Sequence, residues 1–581
     1  ACAAQAEQTA DPNRRLELMR MADTMDWVMA HPARNFREAI QALWFYQMCV
    51  LMDANCHAAS IGRLDQHLGS FAQADLDAGI ITREEVQELV DLYLLKTASV
   101  NKAWSARTVR SAPGYTSGQL ITLGGVDREE SDATNVITYM TLEAAGRLVL
   151  HSPPLALRVN RNMPKELWDC ALSVNKRAGG VPSFYSDDVI RKALEKRGIK
   201  TEDTWNYCLI GCVEPSIGGA EWPACGGLGI SSYMNLANVF LLAINNGKNP
   251  RRDAEGTLIS DVQFGPETGY LYEMNSIEEV QAAYLRQMEY WVTWNINIDN
   301  MFESVASQVL PQPVVSAAMD GCMEQGRDVM EGGARYNSTG LSSIGLGNVA
   351  DCLSIVDRLC FREKRCTTRE LYDALTANWT GYEDLRQYLM GSLPRYGNGD
   401  PEVDKFCRWV AQSYADCANS KTGPRGHFAA GLYPVTMNVV YGTLTGATPD
   451  GRMSGEPLSD GISAVQGMDK SGPTAILRSV TCFDHADFSN GTLLNMKFHP
   501  TVLANADGFE KLRQLMFAYF FQMGGGEMQL NIVSADTLRD AQKHPENYKD
   551  LVVRIAGFSA YFVEVYKTAQ DDLIRRTELC M

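Results

Sequence analysis

The sequence has 581 residues, of which 45% are hydrophobic, so the chain is long enough to bury a large core. Its formal net charge of −17 argues against binding to nucleic acid, because no cluster of lysine and arginine is present to replace counterions. No run of about 18 uninterrupted apolar residues occurs, so we expect no membrane span.

The 15 cysteines are scattered along the chain, without the regular spacing of a disulfide framework and without a CxxC pair. Reduced thiols and a cytoplasmic location are therefore expected. The first residue is alanine, and helical sequence begins soon afterwards, at Asp11-Pro12. We therefore expect that an N-terminal part of the protein is missing from this sequence.

Helical patterns dominate the first 110 residues, and short apolar runs alternate with helices after them. The predicted helices cover residues 35–52, 83–100, 134–149 and 164–178, and the predicted strands cover 120–123, 155–159 and 205–210. This alternation favours an α/β fold with mostly parallel strands. A turn-rich segment at 447–452 predicts a boundary between a domain over residues 1–450 and a C-terminal region over 451–581.

Cys212 directly follows a predicted buried strand, where a cysteine can be a nucleophile, a metal ligand or a small core residue. Glu214 lies two residues further on, and in an extended segment the thiol and the carboxylate would point to one side. Pro215 favours that extended conformation at Glu214. The pair is therefore a candidate hydrogen and proton transfer site, with a solvated loop glutamate as the alternative.

Gly557 lies between two apolar, strand-like segments, 551–555 and 561–563. Such a glycine is commonly a turn residue or allows another backbone to approach closely. It also has a chemical property that other residues lack. Loss of a Cα hydrogen leaves a flat radical that is delocalised over both flanking amides, and a side chain at Cα would hinder that planarity.

The segment Arg554-Ile555-Ala556-Gly557-Phe558-Ser559-Ala560-Tyr561-Phe562 resembles the radical loop of the glycyl radical enzymes, the superfamily of pyruvate formate-lyase. The segment Gly211-Cys212-Val213-Glu214-Pro215 resembles the cysteine loop of the same family. The order of the two loops and their separation of 345 positions also fit that family. Further similar segments, at 331–337, 446–452 and 491–495, extend the resemblance over essentially the whole chain.

The resemblance implies a barrel of ten strands, built from two parallel five-stranded halves and surrounded by helices, with both loops meeting inside. It implies that Gly557 carries a glycyl radical, installed with S-adenosylmethionine by a separate iron–sulfur activase of the radical SAM class. Cys212 would then pass the radical to the substrate as a thiyl. No permanently bound cofactor or metal is implied, and a homodimer would be common for the family.

Several residues bear on which reaction to expect. Gly211 stands where the pyruvate formate-lyase type has a second cysteine, which disfavours that type. Glu214 instead resembles the dehydratases, the related carbon–sulfur and carbon–nitrogen lyases, and the arylacetate decarboxylases. No aspartate follows within 216–227, which argues against small diols and choline as substrates. Trp222 either lines a pocket for an aromatic substrate or packs in the core, and His57 is a further candidate for the lining.

We therefore predict a dehydratase-type radical lyase that cleaves a carbon–heteroatom bond in a small hydroxylated substrate under anaerobic conditions. Glu214 would remove the hydroxyl proton, and Cys212 would remove and return the hydrogen atom. The alternatives are an arylacetate decarboxylase, an enzyme of radical C–C addition or acyl cleavage, and a catalytically silent relative that only binds.

Overall fold

A computed structural model describes residues 1–54, 58–100, 102, 104, 118–222, 232–249, 251–252 and 258–580. The α-helices in these ranges are α1 (Cys2–Gln8), α2 (Pro12–Trp27), α3 (Phe36–Ala54), α4 (Leu64–Asp77), α5 (Arg83–Ala98), α6 (Val136–Leu148), α7 (Lys165–Arg177), α8 (Asp187–Lys196), α9 (Thr201–Thr204), α10 (Leu236–Ile244), α11 (Ile277–Val309), α12 (Pro313–Ala318), α13 (Cys322–Gln325), α14 (Leu346–Val356), α15 (Thr368–Thr376), α16 (Glu383–Ser392), α17 (Pro401–Asn419), α18 (Met437–Gly442), α19 (Pro473–Val480), α20 (Ala506–Phe521), α21 (Ala535–Lys543) and α22 (Lys567–Arg575).

The strands in the same ranges are β1 (Gly62–Arg63), β2 (Ile121–Gly124), β3 (Leu155–Val159), β4 (Ser183–Ser186), β5 (Tyr207–Ile210), β6 (Glu214–Ile217), β7 (Glu221–Trp222), β8 (Ser232–Asn235), β9 (Arg251–Arg252), β10 (Leu258–Ser260), β11 (Tyr336–Ile344), β12 (His427–Gly431), β13 (Asn495–Phe498), β14 (Glu527–Ile532), β15 (Val552–Arg554), β16 (Ser559–Tyr561) and β17 (Glu578–Leu579).

The strands form two parallel halves that are joined by one antiparallel pair. In the first half β1, β2, β3 and β4 run parallel in that order. Strand β4 then pairs antiparallel with β14. In the second half β14 is parallel to β13, a bridge between Leu432 and Thr492 connects to β12, and β11 and β8 follow. The described residues thus supply four strands to the first half and five to the second, and the short strands β17 and β7 pair parallel with β13 and β11.

The predicted elements of the first half are confirmed to within a few residues. Strands β2 and β3 are buried along their whole length, as expected for parallel strands covered by helices. Between them, α6 begins at the Asn135 cap, whose side chain accepts a hydrogen bond from the N–H of Ile137. The predicted C-terminal region contributes β13 and β14 to the same barrel. In the ranges that the structure describes, no helix is long and apolar enough to cross a membrane.

Two β-hairpins stand apart from the large sheets. Strands β5 and β6 form the first, with its tip at 211–213, and β15 and β16 form the second, with its tip at 555–558. Apolar residues of both hairpins belong to one buried cluster that includes Leu209, Val213, Ile555 and Phe558. The two hairpins therefore pack against each other within the protein interior.

A buried ion pair holds the base of the first hairpin. The Arg158 guanidinium, fully buried, donates to the Asp187 carboxylate over 2.8 and 3.0 Å. It also donates to the carbonyl oxygens of Trp205, at 2.9 Å, and Tyr207, at 2.8 Å, where β5 begins. Burial disfavours the charged guanidinium, but the interactions with Asp187 and Tyr207 together outweigh this effect, and the pKa of Arg158 is raised. Arg158 therefore fixes the position from which the hairpin extends.

We predict that Arg158→Met lowers the free energy of unfolding by about 3–5 kcal/mol, because the Asp187 carboxylate and two backbone carbonyls lose their donor in a dry interior. Urea denaturation followed by circular dichroism measures the change. Lys165→Met is the control, because it removes an exposed ion pair with Asp169 and should cost at most about 1 kcal/mol. Equal losses in the two variants would contradict the role given to Arg158.

Candidate active site

The tip of the first hairpin is a three-residue turn that carries Cys212. Gly211 adopts a left-handed conformation with φ of 62°, which opens the turn. Its N–H donates to the Ser60 hydroxyl over 3.1 Å. One Glu214 carboxylate oxygen accepts the N–H groups of Cys212, at 2.9 Å, and Val213, at 2.7 Å. Glu214 thus folds back over the tip and holds Cys212 in place, and both side chains are buried.

Gly557, at the tip of the second hairpin, lies directly against Cys212. A Cβ added at Gly557 would lie 2.3 Å from the Cys212 Cβ and 3.0 Å from its Sγ. The Gly557 φ of 81° is also one that side-chain-bearing residues rarely adopt. The Gly557 Cα–H bond that occupies the Cβ direction therefore points at the cysteine, and only glycine fits between the two loops.

Two polar side chains of β14 hold the second hairpin. The Gln529 side-chain oxygen accepts the Gly557 N–H at 3.0 Å and the Arg554 Nε–H at 2.7 Å. Asn531 pairs with the backbone of Arg554 in both directions, accepting its N–H at 2.9 Å and donating to its carbonyl at 2.7 Å. Side chains of the barrel wall, rather than a strand ladder, thus attach the hairpin.

Polar and apolar side chains alternate along strand β14, and the sequence analysis did not identify this pattern. Glu527, Gln529 and Asn531 are buried polar residues, whereas Met528 and Leu530 between them belong to the main apolar core. A period of two in a buried strand separates two faces. The polar face is turned toward the hairpin tips, and burial there raises the pKa of Glu527 to about 8. The alternation can be seen in the sequence, but the sequence does not show that the polar side chains bind the loop of Gly557.

Two glycines allow the second hairpin to approach the barrel closely. A Cβ at Gly179 would lie 2.5 Å from the Val552 carbonyl oxygen, and one at Gly180 would lie 2.6 Å from the Arg554 Cβ. Both glycines also have positive φ. This close approach brings β15 near enough to β14 for the hydrogen bonds of Gln529 and Asn531.

The structure brings Cys212, Glu214 and Gly557 together, but it separates Trp222 from them. Trp222 lines a cavity of about 380 Å³ with other residues, including Cys208 and Ile210 of the first hairpin, and none of the three residues at the tips lines it. His57 lies outside the described residues. No group of three or more His, Cys, Asp or Glu side chains that could hold a metal ion occurs in the part of the chain that the structure describes.

Known proteins are similar to this chain over nearly its whole length. The family model described as "Pyruvate formate lyase-like" matches residues 1–442, and that described as "Glycine radical" matches residues 458–563. A (2S)-3-sulfopropanediol dehydratase of Klebsiella oxytoca is 34% identical over 582 residues, which cover 99% of this chain and 69% of that protein. A trans-4-hydroxy-L-proline dehydratase of Clostridioides difficile is 32% identical over 99% of this chain and 71% of that protein.

The fold is also similar to that of a solved structure. The glycerol-bound form of the B12-independent glycerol dehydratase of Clostridium butyricum superimposes with a TM-score of 0.93 at 37% sequence identity. The match covers 100% of this chain and 72% of that one. It confirms the predicted α/β barrel surrounded by helices.

The contact between Gly557 and Cys212 leads to a prediction for the free energy of unfolding. Gly557→Ala should lower the free energy of unfolding by at least about 3 kcal/mol, since it combines left-handed strain with a clash against Cys212. Gly524→Ala is the matched control, because Gly524 has nearly the same φ, 80°, with no atom within 4 Å of an added Cβ. It should lose only about 1–2 kcal/mol. Urea denaturation compares the two, and equal losses would show that the tips do not touch.

Proposed function

Because the chain belongs to the pyruvate formate-lyase-like glycyl radical enzymes, among their dehydratase and lyase members, we propose that Gly557 stores a radical and Cys212 delivers it to a small hydroxylated substrate. The observation that carries this proposal is the 3.0 Å from the Cβ position of Gly557 to the Cys212 sulfur. The Gly557 Cα–H bond in this direction has atoms of Cys212 as its nearest neighbours, so a hydrogen atom can pass between the two residues without an intermediate carrier.

The reaction begins with the radical on Gly557 taking the hydrogen atom of the Cys212 thiol. The resulting thiyl takes a hydrogen atom from the hydroxyl-bearing carbon of the substrate and leaves a carbon radical there. The buried setting of both hairpin tips favours this chemistry, because it excludes water and competing hydrogen donors from the radicals.

Glu214 completes the elimination by moving one proton. Its carboxylate accepts the hydroxyl proton of the substrate radical, which is far more acidic than the parent alcohol, and a ketyl results. The neighbouring leaving group then departs and takes up the proton from Glu214, so that a hydroxyl leaving group departs as water. Cys212 returns its hydrogen atom to the remaining carbon radical, and the thiyl recovers the hydrogen of Gly557. The products are one carbonyl compound and the protonated leaving group, and Cys212, Glu214 and Gly557 end as they began.

The alternative of an arylacetate decarboxylase rests on Glu214 and on Trp222 as a lining residue of a pocket for an aromatic substrate. Trp222 does line a cavity of about 380 Å³, and it also packs with Ala59, Val315 and Met330, so its position does not discriminate between the two reactions. We place the elimination first because the dehydratase relatives are 34% and 32% identical, whereas an indoleacetate decarboxylase of Tractidigestivibacter scatoligenes is 30% identical.

The proposed radical requires a partner. Gly557 is buried, and neither Cys212 nor Gln529, which contact it, can generate a first radical. We infer that a separate iron–sulfur activase removes one Gly557 Cα hydrogen with S-adenosylmethionine. Among the described residues no two cysteines form a disulfide, which fits a reducing compartment such as the cytoplasm. The division into a domain over 1–450 and a C-terminal region over 451–581 stays part of this proposal.

The radical store is tested by electron paramagnetic resonance. Anaerobic incubation with an activase and S-adenosylmethionine should give a doublet, which should split further in protein labelled with 13C at the glycine α-carbons. Exposure of the activated protein to air should then cut the chain at Gly557 and release residues 558–581, as mass spectrometry would show. Labelling is preferable to Gly557→Ala, whose clash would itself move the loop.

Cys212→Ser should keep the doublet and the cleavage by air but abolish turnover, because its stronger O–H bond cannot relay the radical. Cys225→Ser serves as the thiol control and should turn over normally. A folded, activase-bound sample without any doublet would refute the proposed function.

The role of Glu214 is tested by Glu214→Gln. The amide oxygen can still accept the N–H groups of Cys212 and Val213, so the tip should keep its shape, whereas the proton acceptor is lost. We expect an undiminished doublet and turnover lowered by about 10²–10⁴-fold, the usual contribution of a general base. Product analysis with (2S)-3-sulfopropanediol and an arylacetate measures the turnover, and release of carbon dioxide from the arylacetate alone would favour the decarboxylase instead.

A further inference from the structure

We propose that Gln529 is a positioning residue that fixes the plane of the Gly557 amide, so that the stored radical is both delocalised and directed at Cys212. The inference rests on the proposed function, because it concerns the same radical. It adds a residue of the barrel wall, some 28 positions from the radical loop, to the residues that control hydrogen transfer.

The orientation of the Gln529 amide follows from its neighbours. Both groups that it meets, the Gly557 N–H and the Arg554 Nε–H, are donors. The side-chain oxygen of Gln529, rather than its NH2 group, must therefore face them. Because Gln529 is fully buried, solvent does not reach this position to replace the acceptor. One oxygen thus holds two donors of the same loop.

The physical consequence concerns the amide between Ala556 and Gly557. A glycyl radical is stabilised when its p orbital overlaps with the flanking amides, which requires that they be coplanar with it. A hydrogen bond from the Gly557 N–H restrains rotation of that amide. The same restraint sets the direction in which the Gly557 Cα faces the Cys212 sulfur. Misplacement of reacting atoms by about 1 Å can cost about a hundredfold in rate.

Asn531 offers a matched control two residues further along β14. It lies on the same polar face and is also buried, with 4% exposure. It holds the backbone of Arg554, three residues from the radical, and none of its hydrogen bonds goes to Gly557. Loss of Asn531 therefore loosens the anchoring of the hairpin, while loss of Gln529 frees the amide at the radical itself.

The experiment compares Gln529→Met with Asn531→Leu, which each replace a polar side chain by an apolar one of similar size. Both are activated with the activase and S-adenosylmethionine and examined without substrate by electron paramagnetic resonance. In Gln529→Met the doublet should show a larger splitting and broader lines, because twisting of the amide returns spin density to Cα. Asn531→Leu should keep the wild-type line shape even if its urea midpoint falls.

Gln529→Glu, which restores an acceptor at the same reach, should restore the line shape. With a substrate that the wild type converts, Gln529→Met should lower kcat by about 10–100-fold at an unchanged KM. If Gln529→Met does not fold, Gln529→Asn tests the inference in its place. Its shorter side chain withdraws the acceptor from Gly557 and should alter the doublet in the same way.

A wild-type line shape in Gln529→Met or Gln529→Asn would overturn the inference, and so would equal changes in Gln529→Met and Asn531→Leu. Both results leave the proposed function intact, since a doublet is present. Absence of a doublet in the activated wild type refutes the proposed function itself, and the inference with it.

Discussion

Gly557 and Cys212 approach each other so closely that a Cβ on Gly557 would lie 2.3 Å from the Cys212 Cβ. This contact constrains the surrounding structure, because two hairpin tips separated by hundreds of residues must meet to within a fraction of an ångström. A barrel satisfies the constraint well. Its wall holds each hairpin from several sides, and its interior keeps the contact away from solvent.

The barrel meets this constraint with buried polar groups rather than with apolar packing alone. Arg158 and Asp187 fix the base of the first hairpin, and Glu214 fixes its tip. Gln529 and Asn531 do the same for the second. Apolar contacts supply most of the burial energy but tolerate small shifts, whereas hydrogen bonds depend steeply on distance and angle. Positional accuracy at the contact therefore has to come from the polar groups.

The fold and the paired loops could be predicted because they depend on local patterns. The alternation of buried strands with amphipathic helices placed β2, α6, β3 and α7, and the two glycine-containing motifs located both tips. The hydrogen bonds of Glu214 to the N–H groups of Cys212 and Val213 were not predicted, because they depend on the shape of the turn at 211–213. The positions of Gln529 and Trp222 were not predictable, because they depend on which distant segments meet.

The mode of attachment of the second hairpin reconciles burial with the proposed activation. Gly557 is buried, so the activase that we propose would have to draw the hairpin out of the barrel before it reaches the Gly557 Cα. Among the described strands, β15 and β16 pair only with each other, and side chains of β14 connect them to the wall. Withdrawal therefore breaks a few side-chain hydrogen bonds and apolar contacts but leaves every strand ladder of the barrel intact. The same side chains that position the radical loop in the closed state are thus the ones whose release would expose it.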